Sequence, residues 1–362
     1  MIPSCFSNPT SASSSPSSSS VSQNLVTCIY QTRIFGSPIH LTLTWSKILF
    51  SHSLTIHAAD DMFSITLPLQ APTFSLFQSR SGSKTIQKKV KVYWDFTRAK
   101  YAENSAEPES GFYVAIICHS KLEFFLGDRL RELVQRAGPG LARCIAAEQA
   151  GPGLARCIAV ERAGLGVARG AGLEPTLLSR REHVFGRRMS YNTRAVLLGT
   201  KHEFGIECGG GVLKVKVDGE VRLVVKRLAW KFRGNERILV GEMEVEFYWD
   251  VFNWVSKCDN NNNNNKFGKG HGVFVFQIGD VGVWPEMEGV EKKLVRKSLS
   301  LTTGTVVPPS SPLSLSPSSL SPSCSSVLQW AEESSDCGRS PCSSSRYSSG
   351  GFTLLLYAWR KA

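Results

Sequence analysis

Three groups of residues in this chain have the types and spacing from which chemistry is made. The first is the decapeptide SRREHVFGRR at residues 179–188, where Arg180, Arg181, Arg187 and Arg188 bracket a glutamate and a histidine. Guanidinium forks suit carboxylate and phosphate, so this is a candidate anion site. Lys214, Lys216, Arg222, Lys231 and Arg233 lie on alternate positions downstream and extend it into one basic sheet face. A solvated face with cross-strand pairs to Glu182, Glu220 and Glu244 is the competing reading of the same residues. The second group is Asp95 and Asp250, each closing a Tyr-Trp-Asp triplet. Two carboxylates flanking a bond are what glycoside hydrolysis requires, whereas aspartate at a strand end ordinarily accepts backbone N–H bonds in an Asx turn. The third group is in the tail. Ser311, Ser316, Ser321 and Ser340 each precede proline and Ser298 follows Arg-Lys, which makes all five phosphorylation candidates.

Other chemistries have less material. The ten cysteines are scattered without a CxxC, the seven histidines are dispersed, and no HExxH occurs. The expectation is no metal, no cofactor and a reducing compartment. The net charge of +12 favours anionic partners, an acidic protein or an anionic ligand. No nucleic-acid-binding fingerprint appears. The uncharged, comparatively apolar run at residues 62–79 is broken by prolines and hydroxyl residues, so no transmembrane helix is expected. The cytoplasm or nucleus is the expected location; a serine-rich, acid-poor start also keeps plastid import open.

The elements that would position these groups are strands. Leu213, Val215 and Val217 alternate with Lys214 and Lys216; Val221, Leu223 and Val225 alternate with Glu220 and Arg222. Asp218-Gly219 between them predicts a two-residue type I′ hairpin. The apolar phase then changes to Leu228, Trp230 and Phe232, which predicts a bulge at Lys226-Arg227 and continuation as a four-stranded meander ending on the strand through Trp249. Upstream, strands are predicted over residues 25–34, 39–47, 54–58, 63–67, 89–96, 111–119 and 122–126. One helix is predicted over residues 128–136, with Leu130, Leu133 and Val134 on its buried face.

Two internal repeats stand out. AGPGLARCIAAEQ at residues 137–149 is followed by AGPGLARCIAVER and a decayed third copy, and Gly-Pro-Gly predicts that the block is a surface loop rather than helix. VKVYWD at residues 90–95 and VEFYWD at 245–250 share register, and each precedes a glycine-led apolar strand, GFYVAII from Gly111 and GVFVFQI from Gly272. We read these as two copies of one strand–loop–strand unit.

The expected architecture is an all-β, mainly antiparallel protein: a single large β-sandwich with one short helix and disordered termini. Residues 1–23 are a disordered serine-rich start and residues 24–297 the sandwich, carrying a low-complexity insert at 137–172 and an asparagine-rich loop at 259–266. Residues 298–350 are a disordered Ser/Pro-rich tail, and 351–362, GFTLLLYAWRKA, are too apolar for a free end and should return as a strand. The chain resembles a plant family catalogued as domain of unknown function 868. The resemblance is carried by NLVTCIYQTRIFG from Asn24, YWDFTRAKY, GFYVAIICHSKLEFFLGD, SRREHVFGRR, VKVDGEVRLVVKRLAWKFRGNERILV, FYWDVFNW, VLQWAEE and GFTLLLYAWRK in order. It implies a plant source and a β-rich globular domain, carries over no catalytic residue, and departs in the repeat at 137–172. The combined reading is a non-enzymatic binding or scaffold module with a basic face, the alternative being a hydrolytic, carbohydrate-active enzyme using Asp95 and Asp250.

Overall fold

The computed structural model describes residues 22–48, 51–58, 62–69, 80–87, 90–102, 105–149, 175–186, 190–197, 200–252, 271–279, 294 and 351–360. The serine-rich start, the later repeat units, the asparagine run, the Ser/Pro tail, Arg187, Arg188 and the five candidate phosphoserines lie outside the described residues.

The all-β expectation holds, and the strands organise around one long sheet. Its order is β16(Arg233–Val240), β17(Met243–Asp250), β18(His271–Ile278), β19(Phe352–Arg360), β11(Thr176–Gly186), β1(Ser22–Ile34), β2(Ser37–Ile48), β3(Ser51–Ala58), β4(Phe63–Pro68). Two four-stranded sheets pack on the same side of it. One, β10(Lys121–Gly127)–β9(Tyr113–Cys118)–β6(Val90–Asp95)–β5(Ser81–Gln87), covers β1–β4. The other, β12(Ser190–Leu197)–β13(Thr200–Gly209)–β14(Val212–Val217)–β15(Glu220–Val225), covers β11 and β16–β19. Instead of the single sandwich expected, there are thus two cores on one shared sheet. Trp45, Leu43, Val92 and Ile116 belong to the first, and Phe204, Val215, Phe247 and Phe276 to the second. A short pair, β7(Lys100–Tyr101) and β8(Pro108–Ser110), lies in the β6–β9 connection.

The Tyr-Trp-Asp repeat corresponds to equivalent places in the two halves. Trp94 pairs with Gly82 on one side and Val114 on the other; Trp249 pairs with Gly234 and Phe274. Val92 opposite Ile116 is matched by Phe247 opposite Phe276. Phe96 N–H donates to Arg80 O at 2.8 Å, and Val251 N–H to Phe232 O at 2.8 Å. In register, Tyr113 corresponds to Val273, so the glycines chosen from sequence are one residue out of phase. Each half therefore holds the unit β5–β6–β9–β10 or β16–β17–β18–β19. In the first half the unit is a separate sheet; in the second, β19 lies against β11 and the unit is absorbed into the long sheet.

Glycine is needed in both units because the indole lies flat over it. A Cβ on Gly82 would sit 2.5 Å from Trp94 Cζ2, and on Gly234 2.1 Å from Trp249 Cζ2.

Two helices, not one, close the outer face of the first unit. α1(Leu130–Ala137) buries Leu133 as expected, and α2(Pro139–Gln149) occupies the first copy of the AGPGLARCIA repeat, with Leu141 and Ile145 packed on Tyr113 and Ile117. Gly-Pro-Gly does not prevent this helix. Gly138, at φ 89°, ends α1, and Pro139 occupies the first helical position, where it has no N–H to lose.

The C-terminal segment returns as expected, but to the centre. β19 runs parallel to β11 from Ser179↔Thr353 to Gly186↔Arg360 and antiparallel to β18. Truncation after Gly351 should therefore abolish the cooperative thermal melt, and a melt unchanged from the full chain would refute the central role of β19. Gly234→Ala should cost about 1–3 kcal/mol by overpacking. Gly82→Ala should cost less because Trp94, unlike the 3 % exposed Trp249, is only half-buried and has room to yield. Urea midpoints of the two variants give the order.

Candidate functional site

The central strand β11 carries the decapeptide first singled out, and its position changes what the arginines do. Strand alternation sends Arg180 and Glu182 to the inner face, and Arg181 and His183 to the outer one. Arg181 is only 2 % exposed. Arg180 Nη1 lies 2.6 Å from Glu107 Oε2 and its Nε 2.5 Å from Glu182 Oε1, with a side chain 13 % exposed. Glu182, fully buried, also accepts from Thr193 Oγ1 at 2.7 Å and from the Tyr191 hydroxyl. These two arginines are therefore not an open anion site. Glu107 comes from the first half and Tyr191 and Thr193 from the second, so the network binds the halves across β11.

Burial alone would raise the Glu182 pKa. Arg180, with the Tyr191 and Thr193 hydroxyls, outweighs burial and holds the carboxyl below its ordinary range. Beside it Cys28, whose Sγ is 3.5 Å from Arg180 Nη1, is pushed up to about 12 by burial despite the nearby guanidinium. That thiol is packing, not a nucleophile.

Asp95 and Asp250 occupy equivalent positions, one in each half. Asp95 Oδ1 accepts from Thr97 N at 2.9 Å and Thr97 Oγ1 at 2.6 Å, and Asp95 pairs with Arg129 at 3.2 Å. Asp250 Oδ1 accepts from Phe252 N at 2.9 Å, and its Oδ2 from Arg233 Nε at 2.8 Å. Both are Asx turns locked by an arginine. Nearby His271 is pushed down to about 4 by burial, against the pull of Asp250, and is neutral at ordinary pH. Trp359 Nε1 donates to His183 Nδ1 at 3.2 Å, and the His183 ring stacks on Tyr357 with centroids 4.7 Å apart. The two aspartates stand in different sheets, and no hydrogen bond or ion pair among the described residues joins them. The geometry does not assemble the acid–base pair.

Several of the basic residues expected to form one sheet face stand beside carboxylates. On the outer face of β12–β15, Lys216 lies 2.6 Å from Glu207, Arg222 2.7 Å from Glu220 and Arg194 3.6 Å from Glu203. Lys214 is exposed beside Glu207 in register. Arg233 pairs with Asp250, and Arg237 lies 3.5 Å from Glu246.

Three neighbouring cations without an ion pair among the described residues lie in the connection between the two sheets of the second half. Residues 226–232 do not continue a strand. The bulge falls inside β15, where Val215↔Leu223 is followed by Lys216↔Val221; Val221 thereby turns outward and is 50 % exposed. The chain then crosses from β15 to β16 through a turn opened by Arg227 at φ 58°. Asp218 and Gly219, both at positive φ, do form the expected hairpin turn, but the fourfold meander is split between two sheets at Lys226. Leu228, 1 % exposed, anchors the turn in the core, and its N–H donates to Gly211 O at 2.9 Å. Trp230 N–H donates to Arg227 O at 2.9 Å, Lys231 N–H to the same oxygen at 3.0 Å, and Trp249 Nε1 to Lys231 O at 3.0 Å.

Trp230 stands 85 % exposed at the crest of this pinned turn. Lys226, Arg227 and Lys231 are exposed beside it and form no ion pair with any described residue. From the sequence alone, only Lys231 of these falls on the expected basic face, with Lys226 and Arg227 at the expected bulge and Trp230 within a strand. The signal that was available is Lys-Arg-Leu-Ala-Trp-Lys itself, in which Leu228 and Trp230 cannot both be buried once the chain leaves the sheet.

Two sandwich cores sharing a nine-stranded sheet, braced by a buried ion network, define an all-β protein. The chain belongs to the plant protein family of unknown function DUF868, whose pattern matches residues 21–149 and 159–360. The break falls in the second copy of the Gly-Pro-Gly repeat, narrower than the departure read from sequence. No curated protein and no solved structure matches the chain. Among the described residues no helix is long and apolar enough to cross a membrane, and no cluster of three His, Cys, Asp or Glu is placed to hold a metal.

Glu182→Gln leaves Arg180 with one carboxylate partner and should cost about 3–5 kcal/mol at neutral pH by chemical denaturation. The folded pKa of Glu182 is depressed, so its stabilisation is present above the ordinary value of 4.5 and lost as pH falls through the lower folded value. The gap between wild type and Glu182→Gln should therefore narrow in acid. A gap constant with pH would show that Glu182 is not ionised in the fold.

Proposed function

We propose that this protein is a non-catalytic binding module, and that it holds an acidic protein or another anionic ligand through the turn at residues 226–231. The observation that carries this reading is the contrast in charge compensation. Arg194, Lys216 and Arg222 on the β12–β15 sheet stand beside glutamates at salt-bridge distance, while Lys226, Arg227 and Lys231, on either side of one exposed indole, form no ion pair with any described residue. Unpaired cations already held in place need little reorganisation to meet an anion, whereas paired ones must first give up a partner. The closed Asx turns at Asp95 and Asp250 lend no support to the hydrolytic alternative.

The test compares two variants of equal charge change. The turn variant is K226Q/R227N/K231Q, with asparagine chosen because it tolerates the left-handed backbone at position 227. The face variant is R194Q/K216Q/R222Q, which removes three paired cations. On immobilised polyglutamate, the turn variant should elute at clearly lower salt than wild type, and the face variant close to wild type. Equal shifts in both would mean that retention reflects net charge alone and would sink the assignment to the turn.

A further inference from the structure

Anion binding by three cations does not account for Trp230. The other described tryptophans, Trp45, Trp94, Trp249 and Trp359, pack into or against the cores, and Trp45 is 0 % exposed. Trp230, at 85 %, projects from a turn whose backbone is fixed at Leu228, Trp230 and Lys231. Further apolar surface lies nearby in the chain: Val221 and Val224 on β15 are 50 % and 44 % exposed, and Phe252, where the chain leaves β17, has its ring tilted against that of Phe232 at a centroid distance of 5.0 Å and is 45 % exposed. An indole is amphipathic, and its favoured environment is the boundary between water and hydrocarbon, where the ring sinks and its N–H stays with polar groups. Cations adjoining such a ring meet headgroup phosphates at the same depth, each worth about 1 kcal/mol near an anionic surface. A projecting crest suits a broad, yielding surface. Single-stranded nucleic acid would need successive stacking platforms along a groove, and here one indole stands at the tip.

Resting on the anion-binding reading above, we propose that residues 226–231 are a peripheral membrane-docking element: Trp230 enters the interface of an anionic bilayer while Lys226, Arg227 and Lys231 pair with lipid headgroups. The two signals are complementary. The apolar contact of one ring is weak alone, and three charges alone give only loose, salt-sensitive attraction. Leu228, inside the core, transmits the load to the second sandwich.

The full-length protein would be sedimented with phosphatidylcholine vesicles and with vesicles containing phosphatidylserine. Wild type should bind the second and scarcely the first. K226Q/R227N/K231Q should lose roughly a hundredfold in affinity, the combined effect of three such charges. R194Q/K216Q/R222Q should retain binding. Trp230→Ala should weaken binding and remove the component of tryptophan quenching by brominated acyl chains seen in wild type. Trp230→Gln serves as a second variant, and unchanged thermal melts show that both are folded. Soluble glycerophosphoserine should displace the protein poorly, since it offers charge without an interface; full displacement would overturn insertion of the ring. Trp230 variants that bind and quench as wild type would overturn it as well. A wild type that ignores vesicles yet is held on polyglutamate through Lys226, Arg227 and Lys231 would overturn the bilayer and leave an acidic protein as partner. Failure on both supports would remove the anion-binding reading too.

Discussion

The parallel pairing of β11 with β19 is the constraint on which the rest of the structure depends. Without it β19 and β11 would be open edges, and the second half's repeated unit would be a separate sheet like the first. With it, one sheet runs through both cores, and β11 becomes a strand buried on both faces. A strand so placed should be apolar throughout. Ser179, Arg180, Arg181, Glu182 and His183 make it the opposite, so each polar group must be met by another. Arg180 and Glu182 answer one another and draw in Glu107, Tyr191 and Thr193, while His183 takes the Trp359 indole N–H. Such a buried pair gives little net stability over an apolar substitute, but it accepts only one alignment of the groups that satisfy it. The two halves are held in register by a requirement for polar partners.

What could be read from the chain was what depends on neighbours in sequence. The Asp218-Gly219 hairpin, the strands of both units and the α1 face were legible because turn chemistry and side-chain alternation are local. The Tyr-Trp-Asp repeat was legible because the Gly–Trp contact repeats a residue pattern, although its glycine-led partner strand was matched one residue out. The join of β11 to β19 was not, because Ser179 and Thr353 are far apart in the chain and parallel pairing leaves no turn signature. The basicity of residues 179–188 misled for the same reason: exposure depends on whether a strand is central, and nothing within ten residues reveals that.

The candidate site failed to show for a different reason. Alternation was extended through Lys226 as though the meander lay in one sheet. A bulge within β15 and a crossing between sheets break that assumption, and both depend on where β16 must go to pair with β17. Once the crossing is known, the rest follows from local chemistry. Leu228 fills the core, the next residues cannot, and the indole two positions later is left outside.

The crossing also explains why uncompensated charge collects there. Within a sheet, a lysine or arginine has neighbours at fixed distance on adjoining strands, and Glu203 opposite Arg194 and Glu207 beside Lys216 occupy such places. A turn between sheets has no cross-strand neighbour, so its cations keep their charge unless a distant element supplies a carboxylate. Arg227 further occupies a left-handed conformation that glycine or asparagine would adopt with less strain, and strain of this kind is retained where the surrounding structure imposes it. Here the imposing groups are the Leu228 anchor and the shared acceptor at Arg227 O. The same backbone that makes the turn rigid is what presents Trp230 and its three cations together, so the surface feature is a consequence of how the second sandwich closes.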